Sequence, residues 1–112
     1  MIFETLNESN ERGELLLVDG GMCHYHLRRD GQLTIREIIV QHDRQGQGIG
    51  RVMLRQLEAV ALAAGAASLF AKCPAELPAN GWYERMGFAL EGVEATRSGR
   101  RLNLWRMTVN PR

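Results

Sequence analysis

The run Gln45-Gly46-Gln47-Gly48-Ile49-Gly50 stands between an apolar, strand-like segment and a long amphipathic one, and no other feature of the chain constrains its fold as much. Glycine lacks a side chain, so three of them within positions 46–50 let the backbone pass close to a ligand. A helix starting at Gly48 would aim its free N–H groups and positive dipole end back at this loop. That combination holds phosphate oxygens through main-chain donors alone. A plain turn feeding a strand into a helix does not need three glycines, so a phosphate or pyrophosphate site is the expectation.

Two common pyrophosphate loops fail against the flanks. A dinucleotide fingerprint needs glycine at position 51, where Arg51 stands, and an acidic residue ending the next strand. The next apolar segment, Ser68-Leu69-Phe70-Ala71-Lys72-Cys73, ends in lysine and cysteine. A P-loop would close on Lys-Ser or Lys-Thr, which is missing here. The loop instead resembles the Q/R-x-x-G-x-G/A motif of the GNAT family of N-acetyltransferases, with Gln45, Gly48 and Gly50 in the defining places. A second segment, Trp82-Tyr83-Glu84-Arg85-Met86-Gly87-Phe88, looks like that family's aromatic-Tyr-x-x-x-Gly-Phe stretch. The resemblance covers roughly residues 14–109.

This resemblance implies an α/β GNAT fold: a mixed, mostly antiparallel sheet of about six strands with one long and one short helix. It also implies an N-acetyltransferase that moves an acetyl group from acetyl-CoA to a primary amine by direct attack. Main-chain groups of Ile38, Ile39 and Val40 would pair with the pantetheine arm. The pyrophosphate would lie on Gln45, Gly46, Gln47, Gly48, Ile49, Gly50 and Arg51. Tyr83 matches the tyrosine that protonates the departing thiolate, a task a phenol can perform because it keeps its proton at neutral pH. Its bland reading is an aromatic sealing a short helix. For the general base Glu37 is the first choice, with His42, Glu76 or a water relay as alternatives; the other reading of each of the three residues is a solvated charge or a satisfied hydrogen-bonding side chain.

Two departures from the family pattern stand out. The place seven residues before Tyr83, commonly a cofactor-contacting asparagine, is Glu76; Asn80 either takes over that contact or caps the short helix. The family's two N-terminal helices, which wall the acceptor site, have only the polar residues 7–13 in their place. The acceptor side is therefore expected to be open, or completed by a second subunit in a homodimer. A non-catalytic acyl-CoA-binding module, or an enzyme modifying protein, peptide or nucleic-acid amines, are the rival readings.

The 112 residues hold a single domain, 1–112, with one modest core. Apolar content of 45% and charged content of 24% suit a globular protein. A net charge of +1 gives no reason to expect nucleic-acid or membrane attraction. No secretory signal or membrane-length apolar run is visible, and Cys23 and Cys73 lack metal-ligand spacing. The expectation is a cytoplasmic protein with reduced thiols and no metal.

Residues 1–4 are read as a short edge strand and 7–13 as a loop. Residues 14–18, 22–28 and 32–40 are read as strands joined by turns at Asp19-Gly20-Gly21 and Asp30-Gly31. In the third strand Leu33 and Ile35 share one parity, Ile38 and Val40 the other. Either both faces are buried or one residue bulges out, and the bulge is favoured because it would free main-chain groups for a ligand. Ile49, Val52, Met53, Leu57, Val60, Ala61 and Ala64 recur at helical spacing, and Gly65 is a stop. Residues 68–73 form a strand and 80–86 a short helix. Residues 88–95 and 102–109 form a last hairpin with Arg97, Arg100 and Arg101 at its solvated tip. His24 and His26 share one strand face, read as solvated or cleft-lining rather than metal-binding. Trp82, Phe88 and Trp105 are read as core or cleft wall.

Overall fold

Turn chemistry and strand parity organise the first half of the computed structural model, which describes residues 14–109. The expected edge strand at 1–4 and loop at 7–13 lie outside the described residues. Asp19-Gly20 closes β1 (Leu15–Val18) onto β2 (Gly21–Leu27), pairing Val18 with Gly21. A turn over Arg28 to Gly31, closed by Arg28 N–H donating to the Gln32 carbonyl at 2.8 Å, leads into β3 (Gln32–Val40). Tyr25 pairs with Ile35 and His24 with Glu37, so Arg36 has no partner. Arg36 is the bulge that the parity change between Ile35 and Ile38 predicts.

A 3₁₀ turn (His42–Arg44) and the glycine loop then deliver the chain to α1 (Ile49–Ala63), which crosses to β4 (Ser68–Pro74), parallel to β3. The α1 stop is a Schellman motif. Gly65, at φ +76°, donates to the Leu62 carbonyl, and Ala66 donates to that of Ala61. A short α2 (Ala79–Arg85) precedes the hairpin of β5 (Ala89–Ala95) and β6 (Arg101–Thr108). Among the described residues six strands run in the order β1-β2-β3-β4-β6-β5, and only the β3–β4 contact is parallel. Both helices serve one core. Met53, Leu54, Leu57 and Ala61 of α1 and Tyr83 of α2 pack with Cys23, Tyr25, Leu33, Ile35, Leu69, Ala71 and Trp105. Val52, assigned to the apolar stripe from its spacing, is 51% exposed, and Leu54 is buried in its stead. Val52 lies about 100° around the helix from Met53, which the sheet holds at the centre of the contact.

The far face of the sheet carries Leu15, His24 and Glu37 in one cross-strand row and Leu17, Met22 and Ile39 in the next. Phe70 is buried there beneath the Arg106 guanidinium, 4.8 Å from its ring centroid. Arg106 is held by Gln32, Ser68 and Glu91. Among the described residues no helix is long and apolar enough to cross a membrane.

Candidate active site

The parallel strands β3 and β4 pair only from Gln32–Ser68 to Ile35–Ala71. Past that point β3 stays on β2 and β4 stays on β6, so the two strands part. The bulge at Arg36 falls where they separate. Among the described residues, main-chain N–H and C=O groups of β3 that would have met β4 beyond Ile35 have no strand opposite them. An extended ligand can pair along that edge as a missing strand would.

The start of α1 lies at the same end. Gly48 is its N-cap, with φ +83°, no side-chain cap bond, and no acidic residue in the first turn. Val52 N–H already reaches the Gly48 carbonyl, which leaves the earlier amides as the helix's unpaired donors. The helix thus ends in a bare positive dipole terminus, open to an anion. Gly48 must be glycine for its backbone conformation, since a Cβ there would meet nothing within 4 Å. Gly50 is needed for another reason. A Cβ on it would meet the Trp82 indole at 3.0–3.2 Å, so it allows α2 to close against α1.

Between these elements lies a cleft of about 710 Å³. Of the predicted residues it brings together Ile38, Val40, Gln45, Gly46, Gly48, Ile49, Gly50 and Arg51. The Gln45 amide reaches back to the Val40 carbonyl at 3.4 Å, joining loop to strand. Ile39 points to the far face and is 45% exposed, while Gln47 accepts a hydrogen bond from Arg44 at 3.1 Å; neither lines the cleft. The opposite wall is α2 with its approach: Pro78, Ala79, Trp82, Arg85 and Met86. Only Trp82 of these was expected. The signal for the rest is their spacing, because Ala79, Trp82 and Met86 recur on one helical face once Tyr83 is turned to the core. Arg51 and Arg85 are the charged residues of the lining, which contains no acid.

Tyr83 is buried beside the cleft and not in its wall. Its ring meets Trp82 and Phe88 edge-on at 5.2 and 5.1 Å and stacks with Trp105 at 6.3 Å. Burial, then the neighbouring Cys73 and Cys23, push its phenol above the ordinary tyrosine range. Burial and the Glu37 charge push the Cys23 thiol up to about 12; burial and Glu76 raise Cys73. Both thiols therefore stay protonated near neutral pH.

Asn80 does not cap α2, whose N-cap is Pro78 with no side-chain bond. Its Nδ2 instead donates to the carbonyls of Pro74 and Leu77, both at 2.8 Å, and more weakly to Ala75 at 3.3 Å. Its Oδ1 accepts from Asn103 Nδ2 at 3.0 Å and Trp105 Nε1 at 2.9 Å. The amide is committed to protein at both ends and fixes the loop that carries Pro78 and Ala79 into the cleft wall.

The base candidates separate by position. Glu37 is exposed on the far face, beside the bulge and the parting strands. Glu76 pairs with Arg100 at 3.0 Å, and its carboxyl is held below the usual range by a hydrogen bond to its own backbone and then by Arg100. That pairing also takes Arg100 out of the freely solvated hairpin tip. His42 is exposed in the 3₁₀ turn. His26, expected on a solvated or cleft-lining face, instead sets its Nδ1 2.5 Å from Glu14 Oε2, and His24 is buried at 8% exposure. Among the described residues no cluster of three or more His, Cys, Asp or Glu could hold a metal ion.

The family model described as Acetyltransferase (GNAT) domain matches residues 8–90. The chain belongs to that family. Solved GNAT-fold structures agree with the architecture. A GNAT-family protein of Desulfovibrio desulfuricans is 26% identical, with TM-score 0.74 over 81% of this chain. The ribosomal-protein-S18-alanine N-acetyltransferase of Escherichia coli is 23% identical, with TM-score 0.72 over 97% of this chain and 78% of its own. An aminoglycoside 6'-N-acetyltransferase complexed with coenzyme A is 12% identical, with TM-score 0.73 over 88% of this chain and 72% of its own. The present GNAT domain spans 62% of the D. desulfuricans chain. No curated protein matches it by sequence.

Proposed function

We propose that this GNAT domain transfers an acetyl group from acetyl-CoA to a primary amine. The observation that carries the reading is the meeting, in one cleft, of an uncapped helix start with the unpaired edge of β3. A ligand with a diphosphate at one end and an amide-bearing arm at the other satisfies both. Backbone amides from Gln45 to Arg51 take the diphosphate, and the β3 main chain at Ile38 and Val40 pairs with pantetheine. The thioester then lies where β3 and β4 part, reachable by an acceptor from the far face past Glu37. That the aminoglycoside enzyme of the same fold is complexed with coenzyme A supports the ligand class.

The acceptor enters as an ammonium and gives a proton to Glu37, so that it attacks as a neutral amine. The nitrogen lone pair attacks the carbonyl carbon, with the oxyanion stabilised by a strand N–H. On collapse the C–S bond breaks and its electron pair goes to sulfur, which Tyr83 protonates. A phenolate would be costly in this buried aromatic setting, so the second proton leaving nitrogen must replace the one Tyr83 gives up. Attack is direct, without an acyl-cysteine, because Cys23 and Cys73 are buried and held protonated. Two free buried thiols also suit a reducing, cytoplasmic setting.

The test is calorimetric titration with acetyl-CoA, followed by an acceptor screen with labelled acetyl-CoA. Polyamines, amino acids, antibiotics, peptides and nucleic acid form the panel. Binding followed by label transfer to an amine is expected. Tight binding without transfer to any class, or measurable hydrolysis only, would make this an acyl-CoA-binding module. Absence of binding would end the reading.

A further inference from the structure

Two histidines share the far face of β2, and the structure treats them differently. His26 is satisfied by Glu14. His24 is more than nine-tenths buried, yet its Nε2 has no hydrogen-bond partner among the described residues. A buried ring nitrogen left unpaired is uncommon and calls for a reason. The bulge supplies its setting: with Arg36 looped out, Glu37 falls directly across from His24 at the point where β3 leaves β4. Cross-strand partners on one face have Cβ atoms about 4.5–5.5 Å apart, so a side-chain rotation of the exposed Glu37 carboxylate brings it within reach of the imidazole.

We infer that His24 is the positioning residue behind Glu37, holding its carboxylate toward the parted strands and taking on the proton that carboxylate collects from the acceptor ammonium. This rests on the acetyl-transfer reading with Glu37 in contact with the amine. In the step, an N–H bond of the ammonium breaks and its electron pair stays on nitrogen. The proton passes over the Glu37 carboxylate to Nε2, leaving a neutral amine and an imidazolium beside a carboxylate. After the acetylated product leaves, the imidazolium returns its proton to water. The gain follows from ordinary acidities. An imidazole is a stronger base than a carboxylate, so passing the proton on favours the neutral amine, an effect on the order of 10²-fold, the low end for general-base catalysis.

Among the described residues, the groups facing His24 are Glu37 across on β3, with Arg36 in the bulge beside it, and Leu15 across on β1. Along β2 lie Met22 and His26, the latter engaged with Glu14. Among the described residues, Glu37 is thus the carboxylate across from it that is not already committed to another side chain.

Two measurements decide the matter. First, the His24 ring nitrogens are observed by 15N NMR in the folded protein without substrate, in the unaltered chain and in Glu37→Gln, an exposed substitution. Loss of the carboxylate should move the Nε2 resonance and release its hydrogen-bonded signature; an unchanged Nε2 resonance overturns the pairing and leaves the acetyl-transfer reading intact. Second, thiol release is followed with acetyl-CoA and n-propylamine as the probe acceptor, for His24→Gln, Glu37→Gln and the double variant. His24→Gln should lower kcat about 10²-fold near neutral pH with an unchanged KM for acetyl-CoA. The loss should shrink toward about pH 10, where the free amine is abundant. The double variant should be no worse than Glu37→Gln, as expected of groups acting as a unit. A pH-independent loss, a loss below about threefold, or additive effects would assign His24 to packing. If the unaltered protein acetylates no amine at all, the transfer reading falls and the relay falls with it.

Discussion

Replacing Asn80 should unfasten the cleft wall, and the size of the loss can be worked from its bonds. Asn80→Ala removes two 2.8 Å donations to the Pro74 and Leu77 carbonyls and two accepted bonds near 3 Å from Asn103 and Trp105. The Leu77 carbonyl belongs to an exposed residue and recovers water, so its net loss is small. Trp105 is 5% exposed, and its indole N–H is left buried and unpaired, at about 1–3 kcal/mol. With about 1 kcal/mol for the Pro74 bond, the total is roughly 2–4 kcal/mol. For a domain of this size that lowers Tm by roughly 8–16 °C, at about 4 °C per kcal/mol. Asn80→Asp sharpens the test. It keeps an oxygen for Trp105 and Asn103 but turns the other toward two carbonyl oxygens, which favours the protonated acid. The introduced carboxyl then has a folded-state pKa above its unfolded value of about 3.9. Its contribution is fully present below that value and lost as pH rises through the folded pKa. Urea melts followed by the fluorescence of Trp82 and Trp105, at about pH 4.5 and about pH 7.5, should show the larger deficit at the higher pH. A loss below about 1 kcal/mol in Asn80→Ala, paired with weakened acetyl-CoA binding, would refute the clamp and restore a direct cofactor contact.

Other substitutions separate the roles of neighbouring residues. Gly48→Asp places a carboxylate at the bare start of α1, where its Cβ meets no neighbour though the φ of +83° strains any residue but glycine, and should abolish acetyl-CoA binding by calorimetry; unchanged affinity in the folded variant would contradict the phosphate site. Gly50→Ala should instead cost stability, about 1–3 kcal/mol, through the Trp82 contact, with partial recovery on adding Trp82→Phe; strictly additive effects would disprove that contact. Tyr83→Phe should cut turnover by roughly 10²–10⁴-fold while leaving the melting temperature nearly unchanged, and a loss under threefold would demote Tyr83 to packing. Arg85→Ala should weaken coenzyme A binding several-fold at low salt and progressively less as salt rises, because an exposed guanidinium is screened; a salt-independent loss would assign Arg85 to shape.

What the sequence reveals here is what is local. The glycine loop, the two-residue turn at Asp19-Gly20 and the helix stop at Gly65 each depend on neighbours in the chain, and each stands where its residues imply. The parity change in β3 is also local, and it confines the bulge to the residues between Ile35 and Ile38. What escapes is set across strands. The parting of β3 from β4 depends on which of them leaves the shared register first, and no residue type at Arg36 or Lys72 announces it. Gly48 and Gly50 look alike in the motif, yet one answers to a backbone angle and the other to an indole more than thirty residues away.

The same limit explains His24 and Asn80, and it bears on how polar residues are read from pattern. Alternation on β2 assigns His24 and His26 one shared environment, because period two sees only the face of the sheet. Position along that face decides the rest: His26 is level with Thr34 and bonds Glu14, while His24 lies level with the bulge. Asn80, at the expected start of a short helix, is a residue type favoured as a cap. A cap serves only its own helix, whereas this amide joins β4's exit, the loop to α2 and two residues of β6. The polar side chains with the most partners, Asn80 and Arg106, each join several separate elements. Their chemistry is set by that joining more than by their place in any single strand or helix.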